Sequence, residues 1–446
     1  MPRLGSNYHR LFSASTISNL GDGVGLVAYP WLASALTRNP MLLSAVLVAQ
    51  RIPWLLFSLP IGVVVDRYRR RLLMVTANAG RAILTAAVAL AVVVNQSSLP
   101  APDELDDLLQ TGSGIPTKPL LFGLLLLAAF LLGAGEVLHD TAAMSIMPHV
   151  VSTDELETAN GRLVSAEQAT NLFVGPLFGA FLLTTVFAAP FFVDASSFLL
   201  AAGILALTPI VEPRPAPSHD DDLSWPQRFR VEFSQGFTAL WSHGYLRFLA
   251  IVATVVNLMG GAVLSILVLF AQEILLTDPT RFSLLSIGSA IGSVVGGFIA
   301  PKLSDRFGSS LVLRFVVIGV GLCMLTIVFT SSWIVTSAML GVYGFLVVCW
   351  VVLTVSLRQA ITANEVLGRV NSVYRFFSFG AISLGAMLGG FMIWLAELGV
   401  SREMALRTPF LAAAVVQLAV AVYAFGKLSG QRLAEVRNGP PTGSLP

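Results

Sequence analysis

Asp22 stands thirteen residues into an apolar stretch that runs from about residue 9 to 36. At 1.5 Å of rise per residue that is about 20 Å along a helix, and a carboxylate at such a depth in hydrocarbon costs about 2.5–3.5 kcal/mol on insertion scales. It is expected to face a polar cavity, to carry a proton or to pair with a cation, so its chemistry is either proton coupling or a fixed ion pair. Gly21, Gly23 and Gly25 flank it and let another backbone or a ligand approach closely. Arg51, in the next apolar stretch at a similar depth, is the expected partner. It could instead hold an anionic ligand group, but an unpaired guanidinium there would be costly. Glu136 and Asp140 are four residues apart and share a helix face. Glu136, the deeper of the two, is a second candidate for protonation, and Glu167 is a third. Gln168 beside it, Asn257, and the aromatic residues Trp31, Trp350 and Phe376 are candidates for lining a substrate cavity. Arg81 and Asp194 are expected to be paired for structural reasons.

Bond-making chemistry has no support in the pattern, and no catalytic residue is assigned. His139 is the one histidine inside an apolar stretch, with no nucleophile or metal-ligand spacing around it. Cys323 and Cys349 fall within apolar stretches and read as small buried hydrophobes, and no metal or cofactor is implied. No Walker loop is present, so ATP-driven transport within this chain is not expected. The 446 residues are 55% hydrophobic and 12% charged, where a soluble chain carries about a quarter charged; the mean hydropathy is +0.79.

About twelve stretches of about twenty residues are long enough to span a bilayer. They lie near 9–36, 41–65, 72–95, 119–147, 160–187 and 189–210, then 246–274, 280–303, 309–331, 333–358, 370–398 and 405–427. The expected fold is an all-α membrane protein of twelve transmembrane helices in two pseudo-symmetric six-helix bundles, residues 1–210 and 246–429. A cytoplasmic linker, 211–245, is expected to carry an interfacial helix from Trp225, and the tail 430–446 to be disordered. The acidic segment 96–118 reads as a solvated loop. With the N-terminus inside, the segments on that face hold 18 Lys and Arg against 5 on the other. That bias places both termini in the cytoplasm. No cleavable leader is expected, because Asp22 and its glycines interrupt the first apolar run.

The two halves share a charged turn after their second stretch: Asp66-Arg67 in the first and Asp305-Arg306 in the second, 239 residues apart. Gly161-Arg162 and Gly368-Arg369 form a second matching pair, 207 apart. Gly62, Asp66, Arg67, Arg70 and Arg71 match the loop signature Gly-x-x-x-Asp-Arg-x-Gly-Arg-Arg, with Arg69 where glycine is usual. The chain therefore resembles the major facilitator superfamily. The resemblance implies that this loop is a cytoplasmic gate in which Asp66 caps the eleventh span and Arg70 meets an acid on the fourth, with Asp140 the better placed. Asn171, Gly175, Pro176 and Gly179 resemble the antiporter motif of the family's exporters, with Asn171 and Ala180 in place of its outer glycines. Within the superfamily the chain looks most like the drug, macrolide and enterobactin exporters. That implies proton antiport of a hydrophobic or amphiphilic small molecule across the plasma (inner) membrane. A dedicated exporter of one metabolite, such as a siderophore, or a lysolipid flippase is the alternative. The implied partners are the substrate, protons and the bilayer, with no nucleic acid and the chain a monomer.

Overall fold

The computed structural model describes residues 5–96, 99, 118–147, 150–152, 156–210, 225–362 and 364–431. The acidic segment 103–109, the first part of the linker and the tail from 432 lie outside them, as do the side chains of Asp66 and Arg67. The regular elements among the described residues are all helices, with no strand. In chain order they form α1 (Ser6–Leu36), α2 (Pro40–Arg67), α3 (Arg70–Val94), α4 (Pro119–Ile146), α5 (Leu156–Ala169), a π-helical turn (Thr170–Val174), α6 (Gly175–Leu183) and α7 (Ala189–Ala206). After the linker helix α8 (Trp225–Ser242) come α9 (Gly244–Glu273), α10 (Pro279–Phe307), α11 (Ser309–Phe329), α12 (Trp333–Ile361), α13 (Asn364–Ala396) and α14 (Arg402–Lys427). Ten of these are long and apolar enough to cross a membrane. α1, diluted by its polar residues, and the interrupted run α5–π–α6 complete the twelve.

Local chemistry sets the helix ends. Asn39 accepts the Met41 N–H at 2.9 Å with Pro40 at the first helical position of α2, where a missing N–H costs nothing. Ser332 and Ser401 cap α12 and α14 in the same manner. In α14, Glu403 in the first turn and Lys427 in the last oppose the helix dipole. Large apolar side chains stay outside: Leu120, Val94, Phe329 and Val422 are 79–90% exposed, as lipid-facing residues must be when hydrocarbon is the solvent.

The chain divides into two compact units, Met1–Ala216 with Leu267–Ile287, and Pro217–Ile266 with Gly288–Pro446. In the first, α1 and α3 both pack along α7, and α2 packs along α4. Residues 267–287 join this unit through α1. Gln272 donates to Ser34 Oγ at 3.0 Å and accepts from Arg38 at 2.5 Å, while Trp31 packs against Phe282 with ring centroids 5.7 Å apart. In the second unit α11 packs against α12 and α14, and α8 lies along α13.

The repeat is visible in how glycines let helices cross. A Cβ on Gly175 would lie 2.5 Å from Gly23 Cα, and one on Gly179 2.7 Å from the Val24 carbonyl. In the second half a Cβ on Gly385 would lie 1.9 Å from the Leu258 carbonyl, and one on Gly261 2.2 Å from that of Ile382. α1 against α5–α6 and α9 against α13 are thus equivalent contacts, each made by backbone meeting backbone.

The Asp-Arg turns differ in one detail. Gly308, after Asp305-Arg306-Phe307, has φ +81° and ψ 140°, a region open to glycine. Its counterpart Arg69 has φ −64° and ψ 115°, extended backbone that any residue adopts. The first turn therefore tolerates arginine where the signature has glycine.

Candidate functional site

The polar centre of the first unit forms where α1, α3 and α7 meet. Arg81 Nη2 donates to Asp22 Oδ1, and its guanidinium lies 3.9 Å from the centroid of the Phe198 ring. The Arg81 side chain is 4% exposed and that of Asp22 26%, so the carboxylate is open on one side and the cation is enclosed behind it. Asp194 approaches the same turn of α1: a Cβ on Gly21 would lie 2.6 Å from its Oδ1. That oxygen is buried and, among the described residues, makes no hydrogen bond. Tyr29 and Thr85 hydroxyls meet at 3.4 Å nearby. Asn78, one turn before Arg81, is fully buried with its amide oxygen and nitrogen unpartnered among the described residues.

The expected pairing of Asp22 with Arg51 gives way to Arg81. Similar depth on adjacent spans does not fix which helix face meets which, and small residues at Gly21 and Gly25 draw α1 against α7 beside α3 instead. Arg51 lies 4.0 Å from Glu136, with both side chains more than a third exposed. Asp140 lies 3.1 Å from His139 Nδ1. Glu167 and Gln168 are half-buried on α5. Arg70 starts α3, and Arg71 donates to the Thr208 carbonyl at 2.5 Å, tying the loop to the end of α7. Asp305 and Arg306 are exposed at the end of α10.

Pro176 shapes the fifth span. It has no N–H to give to the residue four before it, and its ring crowds that carbonyl. The ladder widens to a π turn, in which Gly175 N–H reaches Thr170 O, five residues back. Asn171 sits in this turn, and its carbonyl would be 2.7 Å from a Cβ on Gly23. Within the first unit, the close contact of Gly175 and Gly179 is therefore with α1.

Of the cavity candidates, Asn257 and Trp350 line a cavity of about 520 Å³ inside the second unit. Asn257 also donates to the Ser378 carbonyl at 3.0 Å. Trp31 is 1% exposed and packed against Phe282, so it is a core residue. Phe376 is 37% exposed, packs edge-on against Phe233 of the linker helix at 5.4 Å and is not among the residues lining this cavity. Residues that the sequence left unmarked are Asn78, a polar residue one turn from Arg81 in an apolar span, and Gln272 with Arg38, which meet at the end of α9 and α1.

Residues 11–386 match the Major Facilitator Superfamily. The multidrug efflux pump Tap of Mycobacterium tuberculosis is 26% identical over 386 residues, 84% of each chain. The uncharacterised MFS-type transporter YfmI of Bacillus subtilis is 25% identical over 293 residues, 64% of this chain and 68% of that one. Among solved structures, the nucleoside transporter NupG aligns with a TM-score of 0.69 at 12% identity, over 95% of this chain and 99% of that one. A bacterial homologue of the lysosomal transporter Spinster aligns with a TM-score of 0.67 at 17% identity, over 97% and 98%. The structural likenesses establish the fold, and the match along most of the sequence establishes the family: the chain belongs to the Major Facilitator Superfamily and is a multi-pass membrane transporter, not an enzyme.

Proposed function

We propose that the protein exports a hydrophobic or amphiphilic small molecule in exchange for protons. The observation that carries this reading is the Asp22–Arg81 pair, with its carboxylate partly open and its guanidinium enclosed. A proton arriving at Asp22 cancels the charge that holds Arg81, and Asp194 on the adjoining helix stands ready to take over as counter-ion. Two carboxylates against one guanidinium leave room for one proton per cycle, so protonation and helix rearrangement are linked through one cluster. Glu136 and Glu167 are further protonation candidates along the same unit.

The direction rests on the Gly175-Pro176 turn and on similarity to Tap, which is named for multidrug efflux. In this reading the protein works by alternating access, with both termini cytoplasmic and the chain in the plasma membrane. Asp66, Arg67, Arg70, Arg71 and Asp140 close the cytoplasmic side, with Asp305 and Arg306 their counterparts. The test uses inside-out vesicles with an acid interior and a panel of lipophilic drugs. Accumulation abolished by a protonophore supports the reading. Uptake that instead requires right-side-out vesicles with acid outside makes the protein an importer and overturns it.

A further inference from the structure

The cavity inside the second unit has no place in the proton-coupling argument, yet it is built like a ligand site. It lies among α9, α11, α12, α13 and α14, with every lining residue from that unit. Its volume of about 520 Å³ falls within the range of about 300–1,000 Å³ typical of small-molecule pockets. Valines dominate the wall: Val252, Val256, Val316, Val320 and Val347 form an apolar chamber. From Val347 to Arg358 the lining follows α12 for about 16 Å at 1.5 Å per residue, so the chamber is elongated.

At one end of it lies Arg358, 6% exposed. Its Nε donates to Asn371 Oδ1 at 2.8 Å, and its guanidinium sits 3.9 Å from the centroid of the Tyr374 ring. Nη1 is buried and has no acceptor among the described residues. Among the described residues the lining contains a second guanidinium, Arg375, and no carboxylate. Toward the other end lies Gln417, 1% exposed, with its amide beside the Tyr343 hydroxyl. Buried polar atoms facing space this large need water or a ligand, and an enclosed guanidinium without a counter-charge calls for an anion.

We propose that this cavity binds an amphipathic carboxylate, its acid group on Arg358 and its apolar body along the valine chamber toward Gln417. The site is distinct from the Asp22 cluster and does not depend on the protein being a proton antiporter. It is tested by equilibrium binding, with no gradient, to purified full-length protein in lipid nanodiscs. The probes are octanoate and its uncharged counterpart octanol, and empty nanodiscs are subtracted. Saturable octanoate binding that exceeds octanol binding is expected. Arg358→Gln should weaken octanoate at least tenfold and leave octanol unchanged, and Arg358→Lys should restore part of the loss. Val320→Phe, which fills the chamber and keeps the arginine, should weaken both probes, so the proposal stays testable if Arg358→Gln fails to fold. Octanoate that only partitions without saturation, or that binds the parent and Val320→Phe alike, overturns the proposal.

Discussion

Replacing Gly175 with alanine adds one methyl group where the structure has no room for it. The new Cβ would sit 2.5 Å from Gly23 Cα and 2.7 Å from both the Gly23 carbonyl carbon and the Thr170 oxygen. Carbon atoms rest about 3.5–4.0 Å apart, so α1 and the fifth span must separate by about 1 Å. Every contacting atom is backbone, and no rotamer change relieves it. Overpacking of this kind costs about 1–3 kcal/mol, against a gain of about 0.5–1 kcal/mol for alanine over glycine in a helix. The expected net effect is a destabilisation of about 0.5–2 kcal/mol. Gly203→Ala in α7 is the control, because a Cβ there meets nothing within 4 Å and only the helix gain remains. Thermal unfolding of the purified variants should therefore move in opposite directions, down for Gly175→Ala and up for Gly203→Ala. Gly23→Ala should resemble Gly175→Ala, and the double variant should be less damaging than the sum, because the first separation makes room for the second methyl. If Gly175→Ala melts at or above the parent temperature, the close crossing of these helices is not what the glycine is for.

Asp22→Asn should abolish pH-gradient-driven efflux. It should also destabilise the fold by less than the roughly 3–5 kcal/mol of a fully buried broken pair, since part of Asp22 is open. Asp22→Asn with Arg81→Gln should recover stability without transport, and gradient-driven efflux by either variant would refute the coupling role. Gly308→Arg should cost about 1–3 kcal/mol of unfolding stability from its backbone conformation alone, while Arg69→Gly costs only about 0.4–1 kcal/mol of chain entropy; equal effects in chemical denaturation would contradict the two turn geometries. His243, just before α9, accepts the Leu246 N–H through Nδ1 at 3.3 Å, and burial lowers its pKa below the ordinary 6.5. The folded state thus favours the neutral ring, so this contribution is complete above about 6.5 and is lost as pH falls through the lower folded value. Melting temperature should fall on acidification in this window, and His243→Asn, which keeps a cap without titrating, should flatten that part of the profile.

What the sequence discloses here is what one-dimensional spacing can encode. Twelve apolar lengths, the charged turns between them and the glycine-proline signature of the fifth span are local patterns, and each has its structural counterpart. The partner of Asp22 is not a local pattern. Depth along a helix can be counted from residue rise, and by depth Arg51 and Arg81 are both admissible. The choice depends on which faces of α1, α2, α3 and α7 meet, and that is decided by small residues such as Gly21 and Gly25 and by the Phe198 ring under Arg81. The same limit hid the chamber in the second unit. Arg358 counts in sequence as one more basic residue near the end of a span, and Gln417 as an isolated amide. Only the packing of five helices turns them toward one space. A charged residue near a helix end carries two meanings, snorkelling to the interface or turning inward, and hydropathy is nearly the same for both. The cost differs: a guanidinium turned inward must find a partner. In the first unit Arg81 finds Asp22, and in the second Arg358 finds one amide oxygen, an aromatic face and an open chamber. The paired arginine belongs to the proposed coupling machinery, and the incompletely paired one is where an anionic ligand completes the structure.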